Sequence, residues 1–168
     1  DKHRDILRMA AMLHDVGKIA ISDLILKKPG RFNEEEYEIM KQHTVLGAQL
    51  FSDLQSDFDE AAGQVVLNHH ERWDGKGYPR GLKGNEIPLS AQILTIADVY
   101  DALTSERSYK KAYQHTSALE SMKKERGKHF SPEIFDIFLE IEREIDAIRQ
   151  RDYPVVQGVV LFIALSYV

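Results

Sequence analysis

The chain has no cysteine. Disulfides and thiolate metal sites are both excluded, so any metal must be held by His, Asp and Glu. That donor set suits iron, manganese, zinc or similar ions. Positive charge is not in excess either: 22 Lys and Arg stand against 27 Asp and Glu, a net charge of −5. A general nucleic-acid binder would carry a basic surface, so no nucleic-acid partner is expected. A phosphate-bearing substrate is still allowed, because bound metal ions can supply local positive charge. No signal peptide is visible, and the lack of cysteine fits a reducing compartment. A cytoplasmic location is therefore expected, within a larger or membrane-attached protein.

What is present is enough for one domain with a substantial core: 168 residues, 43% of them hydrophobic and 29% charged. The chain opens at Asp1 without Met and already reads as mid-helix, which suggests a piece of a longer protein.

Most of the chain has helical periodicity. Ile6, Met9, Ala10 and Leu13 form an apolar stripe, with Gly17 as a stop signal. Residues 19–31 look irregular. Asn33 followed by Glu36 is a capping box, and Tyr37, Met40, Thr44 and Ala48 are expected to face inward. Ser56 is placed as the cap of a helix that carries Ala62, Val65 and Val66 up to His69 and His70. Residues 72–88, rich in glycine and proline, form a loop long enough to suggest a functional role. Helix resumes at Ser90, and further starts are read at Thr116 and at Ser131-Pro132. From Pro132 one helix is expected to present Ile134, Phe138, Ile141, Ile145 and Ile148 on one side. The expected fold class is all-α, a bundle of about six helices with a long glycine-rich loop.

Candidate chemistry sits on four helices. His14-Asp15 ends the first, His43 lies within the second, His69-His70 end the third, and Asp98 and Asp101 share a face of the fourth. Taken singly, each has a bland reading. A lone helical histidine is more often surface or satisfied core, and helix-end carboxylates are usually solvated. His3, His115 and His129 are left as ordinary histidines. Together, four imidazoles and the carboxylates of Asp15 and Asp98 supply enough N and O donors for two metals. Two ions about 3.5–4 Å apart can clamp a phosphodiester and activate water. Gly75 and Gly77 allow close backbone approach to a ligand. Tyr78 either packs against a base or a partner protein, or simply anchors the loop on the core.

Four stretches carry a family resemblance: LHDVGKI at 13–19, KPGRFNEEEYEIMKQHTVLGAQL at 28–50, HHERWDGKGYPRGLKGNEIP at 69–88 and IADVYDALTSERSYKKA at 96–112. In order and spacing they resemble the HD-GYP family, a subgroup of HD-domain metal-dependent phosphohydrolases. The likeness runs from residue 5 to about residue 140. It implies an HD-type helical bundle and hydrolysis of cyclic di-GMP to pGpG, GMP or both, by metal-activated water. It implies two or three divalent ions, iron or manganese first among them, with ligands at His14, Asp15, His43, His69, His70 and Asp98. By the same resemblance Lys18 contacts phosphate, and Asp101 is the general base or water-orienting group. Gly77, Tyr78, Pro79, Arg107 and Lys110 contact substrate. The family also implies docking of diguanylate-cyclase-type domains through the 72–88 loop, and an upstream sensor or receiver domain.

Two departures stand out. The family has a further histidine on a helix well upstream of His14-Asp15, and here that helix is missing; Ser108 stands where proline is common. The catalytic domain is therefore read as residues 1–151 without its N-terminal helix. Residues 152–168 follow as an apolar tail with no family counterpart. Its uncharged run from Tyr153 to Val168 is shorter than the roughly 20 apolar residues of a membrane span. It reads as a buried terminal segment, and it also resembles part of a transmembrane helix of dipeptide-type ABC transporter permeases; no function is drawn from it. Two rival functions remain open: a catalytically incomplete module that binds cyclic di-GMP or a partner, and an HD phosphohydrolase for another cyclic dinucleotide.

Overall fold

Capping chemistry sets the helix starts. A computed structural model describes residues 2–53, 56–106 and 111–150. Its helices are α1 (Lys2–Met12), α2 (Asp23–Leu26), α3 (Glu34–Gln49), α4 (Asp57–Asn68), α5 (Leu89–Thr104), α6 (His115–Lys123), α7 (Pro132–Glu140) and α8 (Glu142–Arg149), with 3₁₀ turns at Val16–Ala20 and Gly84–Glu86. Asn33 and Glu36 form the expected reciprocal cap at α3. Ser56 does the same at α4 with Asp59, which satisfies two backbone donors that the helix itself leaves unpaired. No strand occurs among the described residues, only two isolated bridges, Asp74 with Lys83 and Arg126 with Phe130.

The eight helices exceed the expected six for two reasons. The stretch 19–31 is not wholly irregular, because Ser22 caps the short α2. The stripe expected as one helix from Pro132 breaks at Ile141, whose backbone (φ −103°, ψ 14°) leaves the helical range and starts α8. Phe138 and Ile145 still reach the core on either side of that break. The start expected at Thr116 falls one residue earlier, at His115, capped from Gln114.

Two apolar clusters meet on α5. Ala10 and Ala11 of α1, Ala62 and Val65 of α4 and Ile93, Leu94 and Ala97 of α5 form the first. Ile96 and Tyr100 of α5 join Met122, Phe130, Phe135, Phe138 and Ile145 in the second. Burying one side of α5 in each cluster makes it the spine of the bundle, and the site residues Asp98 and Asp101 ride on it. Tyr100 brings a hydroxyl into the second cluster and satisfies it on His115 Nδ1 at 2.8 Å, as buried polar groups require. His115 in turn pairs with Glu142, which ties α6 to α8.

Two expected core residues are not core. Met9 is 45% exposed and Tyr37 46% exposed. Gly17 is likewise not a helix stop. It lies within the 3₁₀ turn, pressed against α3: a Cβ there would stand 1.9 Å from the His43 carbonyl oxygen and 2.6 Å from the Gly47 nitrogen. Only a residue without a Cβ lets the turn after His14-Asp15 sit directly on the helix that carries His43.

Candidate metal centre

Local backbone geometry aims the imidazoles. His14 Nδ1 lies 2.7 Å from the Ala11 carbonyl, His43 Nδ1 2.7 Å from that of Met40, and His69 Nδ1 2.9 Å from that of Val66. A carbonyl oxygen only accepts, so each Nδ1 donates, and each neutral ring keeps its lone pair on Nε2. All three rings use the carbonyl three residues back, a bond that helical geometry supplies. Thr95 on α5 secures His69 further by donating its hydroxyl to the His69 carbonyl at 2.8 Å.

The Nε2 atoms converge on Asp15. His43 Nε2 is 3.4 Å and His69 Nε2 3.8 Å from Asp15 Oδ1, while His14 Nε2 is 3.5 Å from Oδ2 and 3.7 Å from Asp98 Oδ1. Asp15, His43, His69 and His70 each place a ligand atom within 4.8 Å of the others. The carboxylate thus faces His43 and His69 with one oxygen, and His14 and Lys18 with the other. The Lys18 ammonium donates to Oδ2 at 2.5 Å.

This donor set fits cations. His43 Nε2 and His69 Nε2 stand 3.4 Å apart with a lone pair on each, and Asp15 Oδ1 is buried without a hydrogen-bond partner. Three acceptors that share no proton are a costly arrangement in a buried place unless a positive charge lies among them. Burial pushes the Asp15 carboxyl up, but hydrogen bonding and the positive charge facing it, the Lys18 ammonium included, outweigh burial and hold the acid well below the usual carboxylate range. Burial, helped by His69 and His43, pushes the His70 imidazole down to about 2. Burial likewise holds His43 below its ordinary value. One ionised carboxylate and neutral imidazoles are the protonation states that metals bind.

The loop at 72–88 is firmly tied. Glu71 is 1% exposed, and its two oxygens accept from the backbone N–H groups of Arg80 (2.7 Å) and Leu82 (2.9 Å). Gly77 folds back on this residue, where a Cβ would meet the Arg72 nitrogen at 2.4 Å and the Glu71 Cα at 2.5 Å. The close approach that the glycine allows is to the chain itself. Asp74 accepts from Arg72 at 2.9 Å and from the Lys76 backbone at 3.1 Å. The Tyr78 N–H donates to the His70 carbonyl at 3.2 Å, and the Tyr78 ring stacks on the His70 imidazole with centroids 4.8 Å apart. The Tyr78–Pro79 bond is cis. Pro79 is exposed, and Tyr78 is half-buried.

The structure therefore brings His14, Asp15, Lys18, His43, His69, His70 and Asp98 together, with Tyr78 against His70. Asp101 lies one turn beyond Asp98 on α5 and accepts from the Ser105 hydroxyl at 3.4 Å. Arg107, Lys110, Ser108 and the tail 152–168 lie outside the described residues. The roles of Glu71 and Gly47 escaped the sequence reading, and Gly17 reads from sequence only as a helix stop. Glu71 carries no local signal, and the two glycines are marked only by where they meet in space.

Comparison with known proteins agrees with this geometry. A family model described as "HD domain" matches residues 1–134. The chain is 46% identical over 146 residues to a cyclic di-GMP phosphodiesterase of Thermotoga maritima, covering 87% of this chain and 40% of that protein. It is 46% identical over 143 residues to the cyclic di-GMP phosphodiesterase response regulator RpfG of Xanthomonas campestris, covering 85% of this chain and 38% of the relative. It is 40% identical over 149 residues to a 3'3'-cGAMP-specific phosphodiesterase of Vibrio cholerae, covering 89% and 28%. The chain thus spans 40% or less of the length of these relatives.

Proposed function

Because the chain belongs to the HD domain family, in agreement with its HD-GYP resemblance, we propose that it is the catalytic domain of a metal-dependent phosphodiesterase. Its substrate in this reading is cyclic di-GMP, and its product is linear pGpG, GMP or both. The observation that carries the reading is the proton-free cluster of acceptors around Asp15. His14, Asp15 and Asp98 would hold one divalent ion and Asp15, His43, His69 and His70 another; the N and O donors suit iron, manganese or zinc, and the family resemblance puts iron or manganese first. When bound, such ions supply Lewis acidity toward a phosphoryl oxygen and lower the pKa of water.

The chain's own residues do the rest. Asp15 keeps its negative charge under burial because the Lys18 ammonium donates to it. Lys18, partly exposed beside Asp15, offers a point charge to a non-bridging phosphate oxygen. The Asp101 carboxylate, one turn along α5, accepts a proton from the attacking water as the water oxygen bonds to phosphorus and the P–O ester bond breaks, and the departing ribose oxygen takes a proton from solvent. Glu71 and Gly77 hold the loop so that Tyr78 covers His70. Arg107 and Lys110 complete the cationic contacts to substrate. Residues 1–151 form this catalytic unit in the same reading, in the cytoplasm. An upstream sensor or receiver domain supplies the signal, and the 72–88 loop docks diguanylate-cyclase-type domains. No described helix is long and apolar enough to cross a membrane.

The test is hydrolysis. Protein loaded with iron or manganese converts cyclic di-GMP to pGpG or GMP, and His69→Ala abolishes the conversion. A metal-loaded protein that leaves cyclic di-GMP intact overturns the proposal. Preferential cleavage of 3'3'-cGAMP, the substrate named for one relative, would move it to another cyclic dinucleotide.

A further inference from the structure

Beside the metal centre, α3 presents an aromatic side chain that the proposed reaction has not used. Tyr37 is 46% exposed, in the first turns of α3, while the buried residues of that helix, His43, Thr44 and Gly47, lie further along it. Its ring stands edge-on to Tyr78, with centroids 6.2 Å apart, and Tyr78 is stacked on His70. The Lys41 ammonium lies 4.9 Å from the Tyr37 ring centroid and 5.7 Å from that of Tyr78. Glu38 fixes that ammonium from the same helix at 2.6 Å. Tyr37, Lys41 and Thr44 follow one another at helical spacing, and the metal-ligand candidate His43 sits on the same rigid helix.

This arrangement is expensive for a purely structural tyrosine. An exposed ring gains little from burial, and a cation held over two aromatic faces spends side-chain freedom to stay there. What it builds is a pre-oriented aromatic ring, edge-on to the Tyr78 ring that stacks on His70. A phosphodiester seated at the metal centre carries its nucleoside next to the scissile bond. An aromatic face beside such a seat takes a base by stacking, whatever the base's hydrogen-bonding edge.

We propose that Tyr37 is a base-stacking residue of the substrate site, and that Lys41 is a positioning residue that holds its ring against Tyr78. The inference rests on the cyclic dinucleotide reading above. It makes α3 a two-function element, with His43 on the phosphate side and Tyr37 on the nucleobase side.

The experiment compares Tyr37→Ala, Tyr37→Leu, Tyr37→Phe and Lys41→Met with the wild type. It reads KM and kcat for cyclic di-GMP, the Kd of cyclic di-GMP by calorimetry, and the melting temperature. Loss of one stacked base is worth about five-fold to a hundred-fold in Kd. Tyr37→Ala and Tyr37→Leu should raise KM and Kd by that much, while kcat at saturation changes far less. Tyr37→Phe keeps the ring and should stay near wild type, and Lys41→Met should show a smaller rise in KM. Unchanged KM and Kd in both Tyr37→Ala and Tyr37→Leu overturn the inference, as does a loss that Tyr37→Phe shares. If wild-type protein neither binds nor cleaves cyclic di-GMP, the functional proposal falls and this one with it. If wild-type protein is active and the tyrosine variants match it, only this inference falls.

Discussion

His43 Nε2 and His69 Nε2 face each other at 3.4 Å with no proton to share. Both Nδ1 atoms are already committed to backbone carbonyls of their own helices. That pair of opposed lone pairs, with the buried Asp15 Oδ1 beside them, is the clearest physical sign that the site is built around cations.

Chelation should therefore destabilise the protein. A bound ion stabilises the folded state by mass action, and here it also relieves repulsion among acceptors. Adding a chelator to metal-loaded protein is expected to lower the melting temperature, and adding manganese back to restore it. A melting curve indifferent to chelator would contradict the donor geometry.

Gly17→Ala tests how the site is positioned. Its Cβ would stand 1.9 Å from the His43 carbonyl oxygen, and backbone cannot yield as a flexible side chain does. The variant is expected to lose about 1–3 kcal/mol of stability in urea unfolding, the usual cost of overpacking. It should also lose metal affinity, because the turn bearing Asp15 is displaced from α3. Wild-type stability together with wild-type metal content would rule this account out.

Glu71→Gln tests the tied loop. The amide nitrogen of Gln has hydrogens where Glu71 has an accepting oxygen, so one backbone N–H, of Arg80 or of Leu82, loses its partner. Leaving a buried donor unmet costs about 1–3 kcal/mol. The expected readouts are that loss in chemical denaturation and faster proteolysis within residues 72–88.

Acid should weaken the fold through His129. Burial pushes this imidazole down to about 4 from its ordinary value of 6.5. The unfolded chain therefore takes up a proton at a pH where the folded chain resists it. Stability rises with pH across that window, so it falls as pH drops from about 6.5 toward about 4. His43 and His70 act in the same direction. His129→Asn should flatten the profile relative to wild type without removing the slope. A profile of unchanged slope in that variant would show that His129 is not buried neutral.

How much of this was legible beforehand depends on the range of the signal. Asn33 with Glu36, and Ser56, announced helix starts because a cap is a local event. The order of the His and Asp motifs suggested a metal centre because only their conjunction suits one. What could not be read was which side of a stripe meets a neighbour. Met9 and Tyr37 hold apolar positions in the helical period, yet both face solvent. The break at Ile141 was hidden for a related reason: no glycine or proline marks it, and the apolar spacing carries across it. Glu71 stayed unassigned because burial of its carboxylate depends on two N–H groups nine and eleven residues further along.

Metal stoichiometry tests the central claim most directly. Asp15 turns one oxygen to His43 and His69 and the other to His14 and Lys18, so it should anchor every ion at the site. Elemental analysis of wild-type protein, Asp15→Ala and His70→Ala, after manganese loading and desalting, is expected to find at least two ions per chain in the wild type. It should find close to none in Asp15→Ala, and an intermediate content in His70→Ala. Equal metal content in the wild type and Asp15→Ala, or none in the wild type, would contradict the account.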